Sequence, residues 1–158
     1  MEKVVISTEE TETLARELAK NLKSGAVLGL YGNLGTGKTT FTAFLVEALG
    51  IDAKVQSPSF VLARVYEGKE TRGADKKGKK DDSPTLEGQR ITKVNHLDLY
   101  RLQNPEDVES LGLEEYFNQE NSITIIEWPE IAEGILPRDT MKIMFEDLGE
   151  NKRKIYFK

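Results

Sequence analysis

The first apolar residues of the chain predict a strand followed by an amphipathic helix. Residues 4–6 form a short apolar run, and leucines then recur at the spacing of one helical face, at Leu14, Leu18 and Leu22. Ser7 and Glu10 have the spacing of a capping box, which places the start of the helix at Ser7. Gly25 is positioned to end this helix.

A second unit of strand, glycine-rich loop and helix follows directly. The continuous apolar run at 26–31 is typical of a strand buried on both faces of a sheet. A loop with three glycines occupies residues 32–39. From Lys38 to Leu49 apolar side chains lie on one helical face, and Gly50 supplies the end of that helix.

The rest of the chain predicts mainly strands. Apolar and β-branched residues favour strands at 60–66, 91–99, 123–126, 141–145 and 154–157, the last two as a hairpin. Asn104 and Pro105 suit the cap and first turn of a helix that Gly112 can end, with a second short helix through Tyr116. Helices alternate with strands early and strands dominate late, which favours an α/β fold with a mostly parallel sheet and antiparallel additions.

The segment from Gly68 to Gln89 differs from its surroundings. It contains glycines, the pair Asp81 and Asp82, and almost no apolar residue, and its lysines cluster at Lys76, Lys77, Lys79 and Lys80. This composition indicates a flexible loop between two strands. An electrostatic arm for RNA is the functional alternative, although a run of charges is usually solvated.

Composition then limits the classes of function. A chain of 158 residues with 31% charged residues is expected to form one domain, residues 1–158. With no cysteine, no signal peptide and no membrane-spanning run, we expect a cytoplasmic protein without disulfides or thiolate chemistry. A net charge of −5 argues against DNA binding or a broad nucleic-acid surface, and leaves only a local RNA contact open.

Residues 32–39, Gly-Asn-Leu-Gly-Thr-Gly-Lys-Thr, fit the phosphate-binding pattern G-x-x-x-x-G-K-[ST] between a strand and a helix. The glycines allow backbone N–H groups to face phosphate oxygens, and the helix start adds partial positive charge. Lys38 can reach the β- and γ-phosphates, while Thr39 offers a hydroxyl to Mg²⁺. The predicted ligands are ATP and Mg²⁺, bound at Gly32, Asn33, Leu34, Gly35, Thr36, Gly37, Lys38 and Thr39. The alternative is a glycine-rich turn with an incidental lysine.

Hydrolysis needs a carboxylate near the γ-phosphate, and two strand ends supply candidates. Asp98 and Glu127 each end an apolar run, which in an open α/β sheet brings a side chain to the edge where ligands bind. Each could instead be a solvated acid at a strand exit. Glu127 is the stronger candidate because residues 123–126 have the character of a buried central strand. Which of the two is the main metal ligand stays open.

Two residues that occur once in the chain lie close to these candidates. His96 shares a strand face with Asp98 and could position the phosphate site, but a packed, hydrogen-bonded histidine is the simpler interpretation. Trp128 could stack on a base or a partner, or pack half-buried in the fold.

Several short segments besides the loop occur in the order and spacing of one known protein family, and together they extend through nearly the whole chain. They are Ser57-Pro58-Ser59-Phe60, His96-Leu97-Asp98-Leu99-Tyr100-Arg101-Leu102, Leu111-Gly112, Ile126-Glu127-Trp128-Pro129 and Leu136-Pro137. The block from His96 to Leu102, followed by Glu-Trp-Pro, is highly specific to this family, whereas a phosphate loop alone would indicate only a superfamily. With these residues the chain closely resembles the TsaE (YjeE) family, the small ATPases of bacterial tRNA threonylcarbamoyladenosine synthesis.

The resemblance implies a P-loop NTPase-like sheet and an ATPase that acts by nucleotide-dependent association with the TsaB-TsaD complex. That pair transfers threonylcarbamoyl to an adenosine of tRNA, so tRNA would be contacted indirectly, through the complex. The protein would not perform this transfer itself. Hydrolysis by the isolated chain should be weak, because the sequence fixes no arginine finger, with Arg101 as an internal candidate.

The resemblance also implies roles for individual residues. Thr40 extends the phosphate loop, Asp98 and Glu127 occupy positions linked to magnesium and hydrolysis, and Trp128 lies beside the nucleotide. Ser59 belongs to a nucleotide-sensing segment. Thr11 and Arg153 approach the nucleotide, on looser local motifs.

Two features depart from the family pattern. Ser59 stands where the family usually has threonine, which keeps the hydroxyl and loses a methyl group. The loop at 68–89 is longer than the family's hairpin.

Two rival functions are a small-molecule P-loop kinase and a nucleotide-gated binding module without significant hydrolysis. The sequence shows no arginine-rich lid or acceptor pocket of the kind that a kinase would need.

Overall fold

Seven strands form one mixed sheet in a computed structural model that describes residues 2–68, 90–150 and 152–158. The strands are β1 (Glu2–Val5), β2 (Val27–Tyr31), β3 (Ala63–Glu67), β4 (Lys93–Asp98), β5 (Ser122–Glu127), β6 (Met141–Gly149) and β7 (Lys152–Phe157). The helices are α1 (Thr8–Ala19), α2 (Lys38–Ala48) and α3 (Pro105–Ser110), with short 3-10 helices at Leu113–Tyr116 and Pro129–Ala132.

The strand order is β1-β7-β6-β2-β5-β4-β3. The central strands β6, β2, β5 and β4 run parallel, and β1, β7 and β3 are joined by antiparallel pairing. This confirms the predicted fold class, a P-loop NTPase-like sheet with a mostly parallel centre, antiparallel additions and flanking helices. Because β2, β5 and β4 are parallel neighbours, their carboxyl ends meet at one edge. In register, Glu127 pairs with both Leu30 and Asp98.

Strands β2, β5 and β4 are buried on both faces and separate two hydrophobic cores. One core lies against α1 and α2 and includes Leu14, Leu28, Leu30, Phe41, Leu45, Val94, Ile123 and Ile125. The other lies against α3 and the 3-10 helices and includes Val27, Leu97, Val108, Leu113 and Ile126. Because strand side chains alternate, His96 and Asp98 share the face of Val94, and Glu127 shares that of Ile125. All three therefore face the side on which α2 lies.

The start of α1 forms only half of the predicted capping box. The side-chain oxygen of Ser7 accepts a hydrogen bond from the N–H of Glu10 at 3.3 Å. The Glu10 carboxylate accepts one from the N–H of Ile6, the residue before the cap, at 2.9 Å, whereas a capping box uses the N–H of the cap residue itself. The Ser7 bond satisfies a backbone donor that a helix start otherwise leaves without a partner.

The prediction that Gly25 ends α1 is wrong. The helix already ends at Ala19, and the chain makes a turn before β2. Gly25 lies in this turn with φ 83°, and its N–H donates to the carbonyl of Ser122 at 2.7 Å. The glycine therefore joins the chain to the start of β5.

The strand predicted from position 60 begins only at Ala63. Residues 58–62 form a turn in which the N–H groups of Val61 and Leu62 both donate to the carbonyl of Pro58, at 2.9 and 2.8 Å. Leu62 has a positive φ of 65°, and its carbonyl accepts the N–H of Asp98 at 3.0 Å. The apolar residues at 60–62 therefore belong to a connection, which their β-propensity did not reveal.

The remaining predicted elements are present, with ends that differ from the predicted ones by up to four residues, the largest difference being at the end of β6. Gly50 follows the end of α2, and Gly112 follows α3. The N–H of Asn104 donates to the Asp107 carboxylate at 3.3 Å, which stabilises the start of α3. The second short helix is a 3-10 helix, and the predicted hairpin is β6 with β7.

The predicted flexible loop at 68–89, with its lysine cluster, lies outside the described residues except for Gly68. The N–H of Gly68 donates to the carbonyl of Thr92 at 2.8 Å, next to the start of β4. Across the described part of the chain, every helix is too short or too polar to cross a membrane.

Gly32 provides a test of how tightly the phosphate loop is packed on the sheet. It has φ 140°, and an added β-carbon would overlap the carbonyl oxygen of Phe145 on β6. We expect Gly32→Ala to lower the free energy of unfolding by about 1–3 kcal/mol, as measured by urea denaturation. Gly134→Ala is the matched control, because no atom lies within 4 Å of its β-carbon position. Equal stability of the two variants would contradict the expectation.

Candidate functional site

A cleft of about 370 Å³ lies at the carboxyl edge of the parallel strands. This volume is within the range of small-molecule sites. Many of the predicted site residues line it: residues 34–40 of the loop, Thr11, Asp98, Glu127, Trp128 and Arg153. The fold therefore brings into one cleft residues that are up to 142 positions apart in the chain, counted from Thr11 to Arg153.

The phosphate loop leaves the start of α2 open toward this cleft. Gly37 is the N-cap residue, with φ 99° and no side chain to bond the first N–H groups of the helix. Those N–H groups and the helix dipole favour an anion at this position. Thr36 stabilises the loop itself, because its hydroxyl donates to the carbonyl of Asn33 at 2.8 Å.

Lys38 is a buried cation in the cleft, with a side chain that is 4% exposed. Its Nζ donates to the carbonyl of Asn33 at 2.9 Å and to that of Gly32, and it lies 4.1 Å from the centre of the Trp128 ring. Burial lowers the pKa of Lys38, while the carboxylates of Glu127 and Asp98 act in the opposite direction. The ammonium group is therefore held beside the carboxylates by carbonyl oxygens of the loop.

The Glu127 carboxylate is oriented from two directions. Its Oε1 accepts a hydrogen bond from the hydroxyl of Thr39 at 2.9 Å and lies 2.8 Å from Nε2 of His96. Both Glu127 and His96 are buried, at 3% and 0% exposure. His96 is thus a packed, hydrogen-bonded histidine, as the simpler interpretation predicted, and it also contacts a predicted catalytic residue.

Asp98 connects the cleft to the Ser57-Pro58-Ser59 segment. Its Oδ2 accepts hydrogen bonds from the hydroxyls of Ser57 at 3.0 Å and Ser59 at 2.6 Å. Its Oδ1 accepts the N–H of Tyr100 at 2.9 Å. Ser59 is not a wall residue of the cleft, so the structure connects it to the site through Asp98. The loss of the threonine methyl at this position leaves the hydroxyl contact in place.

The oxygen atoms of the cleft fit Mg²⁺. Asp98 and Glu127 are register partners on neighbouring parallel strands, so two buried carboxylates lie side by side. Their repulsion favours a cation between them. With the Thr39 hydroxyl they offer the hard oxygen ligands that Mg²⁺ prefers. Throughout the described ranges, no group of three His, Asp or Glu side chains is placed to hold a metal ion on its own.

Thr11, Trp128 and Arg153 also lie in the cleft lining, although their contact with a nucleotide stays a prediction. The Arg153 side chain packs on the loop, with Cδ and Nε 3.5 Å from the position that a β-carbon on Gly37 would take. Trp128 has a positive φ of 56°, and its ring lies 4.9 Å from that of Tyr100. Trp128 therefore has the predicted half-buried packing role, and stacking on a base stays open.

Sequence reasoning did not predict five residues of the cleft wall as site residues: Ser7, Thr8, Ser57, Phe145 and Ile155. The sequence indicates only a helix cap at Ser7, and Ser57 only as part of the segment that contains Ser59. Phe145 and Ile155 belong to the predicted hairpin, but no local pattern indicates that β6 lies beside β2. Phe145 packs edge-on against Phe41 of α2, with ring centres 5.5 Å apart.

Comparisons with known proteins find similarity to one family over nearly the whole chain. The family profile described as threonylcarbamoyl adenosine biosynthesis protein TsaE matches residues 5–155. The Bacillus subtilis protein TsaE is 32% identical over 152 residues, covering 96% of this chain and 81% of the relative. The Rickettsia felis TsaE protein is 33% identical over 151 residues, covering 95% of this chain and 75% of the relative.

A solved structure extends the similarity to three dimensions. The crystal structure of Bacillus subtilis YdiB superposes with a TM-score of 0.72 at 29% sequence identity, covering 99% of this chain and 83% of the other. The profile match, the relatives and this structure each extend over nearly all of the chain. This chain therefore belongs to the TsaE family of tRNA threonylcarbamoyladenosine biosynthesis proteins.

Proposed function

We propose that this protein binds ATP with Mg²⁺ in the cleft, hydrolyses it, and associates with the TsaB-TsaD complex in a nucleotide-dependent way. In this role it supports threonylcarbamoyladenosine modification of tRNA in the cytoplasm, the biosynthesis named in the family description. The observation that carries the proposal is the open start of α2 next to Lys38, at the edge where Asp98 and Glu127 meet.

ATP binding is supported by the way in which positive charge is arranged around the loop. The first N–H groups of α2 provide partial positive charge, and Lys38 adds a full charge that the loop carbonyls already hold in the cleft. A triphosphate would exchange those carbonyl contacts for hydrogen bonds in which the donor and the acceptor are both charged, and these are stronger than bonds from the ammonium group to neutral carbonyls. The cleft therefore favours a polyphosphate ligand.

Hydrolysis is supported by the two buried carboxylates. Glu127 is fixed by Thr39 and His96, so its free carboxylate edge is available to orient an attacking water or a metal-bound water. Asp98 also lines the cleft and would supply the second carboxylate for the ion. When bound, Mg²⁺ neutralises the charge that develops on the phosphates during phosphoryl transfer.

Control of the partner complex is supported by the segment attached to Asp98. Ser57 and Ser59 are held by this carboxylate, and the next residues, Phe60 and Val61, are 85% and 55% exposed. A ligand that recruits Asp98 would loosen or tighten both serine contacts and so shift these apolar side chains. Large exposed apolar residues of this kind are typical of protein interaction sites.

Hydrolysis by the isolated chain is proposed to be slow. Arg101, the internal candidate for an arginine finger, has its guanidinium carbon 4.3 Å from the centre of the Phe60 ring. In this conformation the Arg101 side chain packs on Phe60 of the exposed segment and does not line the cleft. Docking of a partner on Phe60 would therefore also act on Arg101.

Lys38→Ala is expected to raise the dissociation constant for ATP-Mg²⁺ roughly 10- to 100-fold, the effect of losing a hydrogen bond to a charged group. Isothermal titration calorimetry provides the measurement, and a thermal melt checks that the variant is folded. Lys54→Ala is the matched control, because Lys54 is exposed and does not line the cleft. Undiminished binding by folded Lys38→Ala would reject the assigned role of this lysine.

Glu127→Gln is expected to reduce phosphate release roughly 100-fold, because the amide keeps the shape of the side chain and loses its charge. The dissociation constant for ATP should change much less than the turnover. Phosphate release into water is measured with excess protein over ATP, so that a slow reaction is still detected. Glu114→Gln, at an exposed position on the opposite layer, is the control. An unchanged rate in Glu127→Gln would show that another group performs this step.

Phe60→Ala is expected to weaken ATP-dependent binding to TsaB-TsaD roughly 30-fold, the effect of losing an interface hot spot of about 2 kcal/mol. Its ATP affinity should stay unchanged, since the Phe60 side chain points to solvent. Capture by the immobilised protein is compared with ATP, with ADP and without nucleotide. Val65→Ala serves as the control, because it removes an apolar side chain on β3 that is 48% exposed and lies outside the serine segment. The proposal would be contradicted if the amount of TsaB-TsaD captured were the same with ATP, with ADP and without nucleotide, and the same for the unaltered protein and Phe60→Ala.

A further inference from the structure

We propose that Tyr31 and Glu133 are positioning residues, which together hold the ring of Trp128 on the ammonium group of Lys38. They do so from the far end of the turn at residues 128–133, directly after β5. The consequence for ATP affinity rests on the proposed function, whereas the position of the ring does not. Neither Tyr31 nor Glu133 lines the cleft, so both would act through Trp128.

The turn at residues 128–133 is bonded to β2 at both of its ends. At the first end, the N–H of Trp128 donates to the carbonyl of Leu30 at 3.2 Å. At the far end, the hydroxyl of Tyr31 donates to Oε1 of Glu133 at 2.6 Å. Between these two bonds the chain forms a short 3-10 helix. Two consecutive residues of β2 therefore fix the whole turn.

A glycine in β2 leaves room for this arrangement. A β-carbon on Gly29 would lie 3.0 Å from Cε2 of Tyr31 and 3.3 Å from Cγ of Pro129. The Tyr31 ring and Pro129 thus occupy the space that a side chain at position 29 would need. Tyr31 is only 5% exposed, so its ring is packed between the strand and the turn. This packing directs the hydroxyl toward the end of the turn.

The Glu133 carboxylate is held from a second direction by Lys142 of β6. Nζ of Lys142 donates to Oε2 of Glu133 at 2.7 Å. The bond from Lys142, and then the bond from Tyr31, hold the pKa of Glu133 below its usual value. Burial raises the pKa of Tyr31, and its bond to Glu133 acts in the same direction. At neutral pH the tyrosine therefore stays a donor and the glutamate stays an acceptor.

The other end of the turn has a backbone that needs such support. Trp128 has φ 56° and ψ 51°, a left-handed conformation that is costly for a large side chain and persists only when its surroundings hold it. In this conformation the centre of its ring lies 4.1 Å from Nζ of Lys38. If the bond between Tyr31 and Glu133 is lost, the turn would relax and the ring would move away from Lys38.

The contact between the ring and Lys38 suits a lysine that must bind phosphate. The face of an indole ring attracts a cation electrostatically and does not require a hydrogen bond. The ring therefore keeps its attraction when the N–H donors of Lys38 turn from the loop carbonyls toward phosphate oxygens. A lysine that is already held in place also loses less side-chain freedom when it binds. Correct placement of Trp128 should thus increase the affinity for a triphosphate.

The first test observes the ring and needs no nucleotide. Trp128 is the only tryptophan of the chain, so fluorescence excited where tyrosine does not absorb reports this residue alone. Tyr31→Phe and Glu133→Ala should each increase quenching by acrylamide and shift the emission to longer wavelength, because a freed ring is more exposed to water. Glu133→Gln should stay close to the unaltered protein, because an amide in either orientation can hydrogen-bond a hydroxyl.

Two results of this test overturn the proposal. The first is emission and quenching in Tyr31→Phe that equal those of the unaltered protein. The second is an equal change in Glu133→Ala and Glu133→Gln, which would show that the hydrogen bond to Tyr31 does not hold the ring.

The second test is a double-mutant cycle on ATP-Mg²⁺ affinity, measured by isothermal titration calorimetry. Tyr31→Phe should raise the dissociation constant roughly fivefold, the size of a cation–π contact at a partly exposed site. In the Trp128→Leu background, which lacks the ring, Tyr31→Phe should change the dissociation constant by less than about twofold. Equal losses in both backgrounds would show that Tyr31 only supports the fold, and would overturn its positioning role.

The controls separate this effect from a general loss of structure. Tyr156→Phe is the matched control, because it removes a hydroxyl that donates to another glutamate, Glu146, at 3.0 Å and lies outside the cleft lining. It should leave both the emission and the ATP affinity unchanged, and an effect as large as that of Tyr31→Phe would overturn the proposal. A thermal melt checks that each variant is folded. If the unaltered protein binds no ATP, the proposed function fails, and the fluorescence still decides whether Tyr31 and Glu133 hold the ring.

Discussion

The hydrogen bonds on Glu127 hold the functional end of this molecule together. One oxygen of a buried carboxylate contacts both Thr39, at the start of α2, and His96, on the neighbouring strand β4. The Glu127 carboxylate therefore connects the start of α2, directly after the phosphate loop, to strands β5 and β4. Parallel pairing of β2, β5 and β4 makes this possible, because it aligns the ends of all three strands.

The cleft concentrates charged side chains that are costly to bury. Lys38, Asp98 and Glu127 are each at most 4% exposed, and removing such groups from water carries an energetic cost. The two hydrophobic cores on either side of the sheet offset this cost. A ligand that brings phosphates and a divalent cation would complete the pairing of these charges, so binding and stability should be linked.

The sequence predicted the parts of the site that depend on local patterns. The phosphate loop is a contiguous motif between a strand and a helix, and Asp98 and Glu127 follow from apolar runs that end in an acid. Thr11, on α1, and Arg153, on β7, were identified only through family resemblance, because only the assembled fold brings them to the cleft. The contact between Tyr66 and His96 depends on the register of β3 with β4, and β-propensity alone misplaced the start of β3. Such contacts require the assembled sheet.

The turn at residues 58–62 limits how the serine segment can move. Leu62 has a left-handed backbone, and its carbonyl accepts the N–H of Asp98, so the far end of the turn is anchored directly to β4. If Ser57 and Ser59 are displaced, the backbone between Ser59 and Leu62 must then rotate while Leu62 stays fixed as the pivot. Phe60, at the outside of that pivot, would travel the longest arc, so a small change at the carboxylate becomes a large one at the surface.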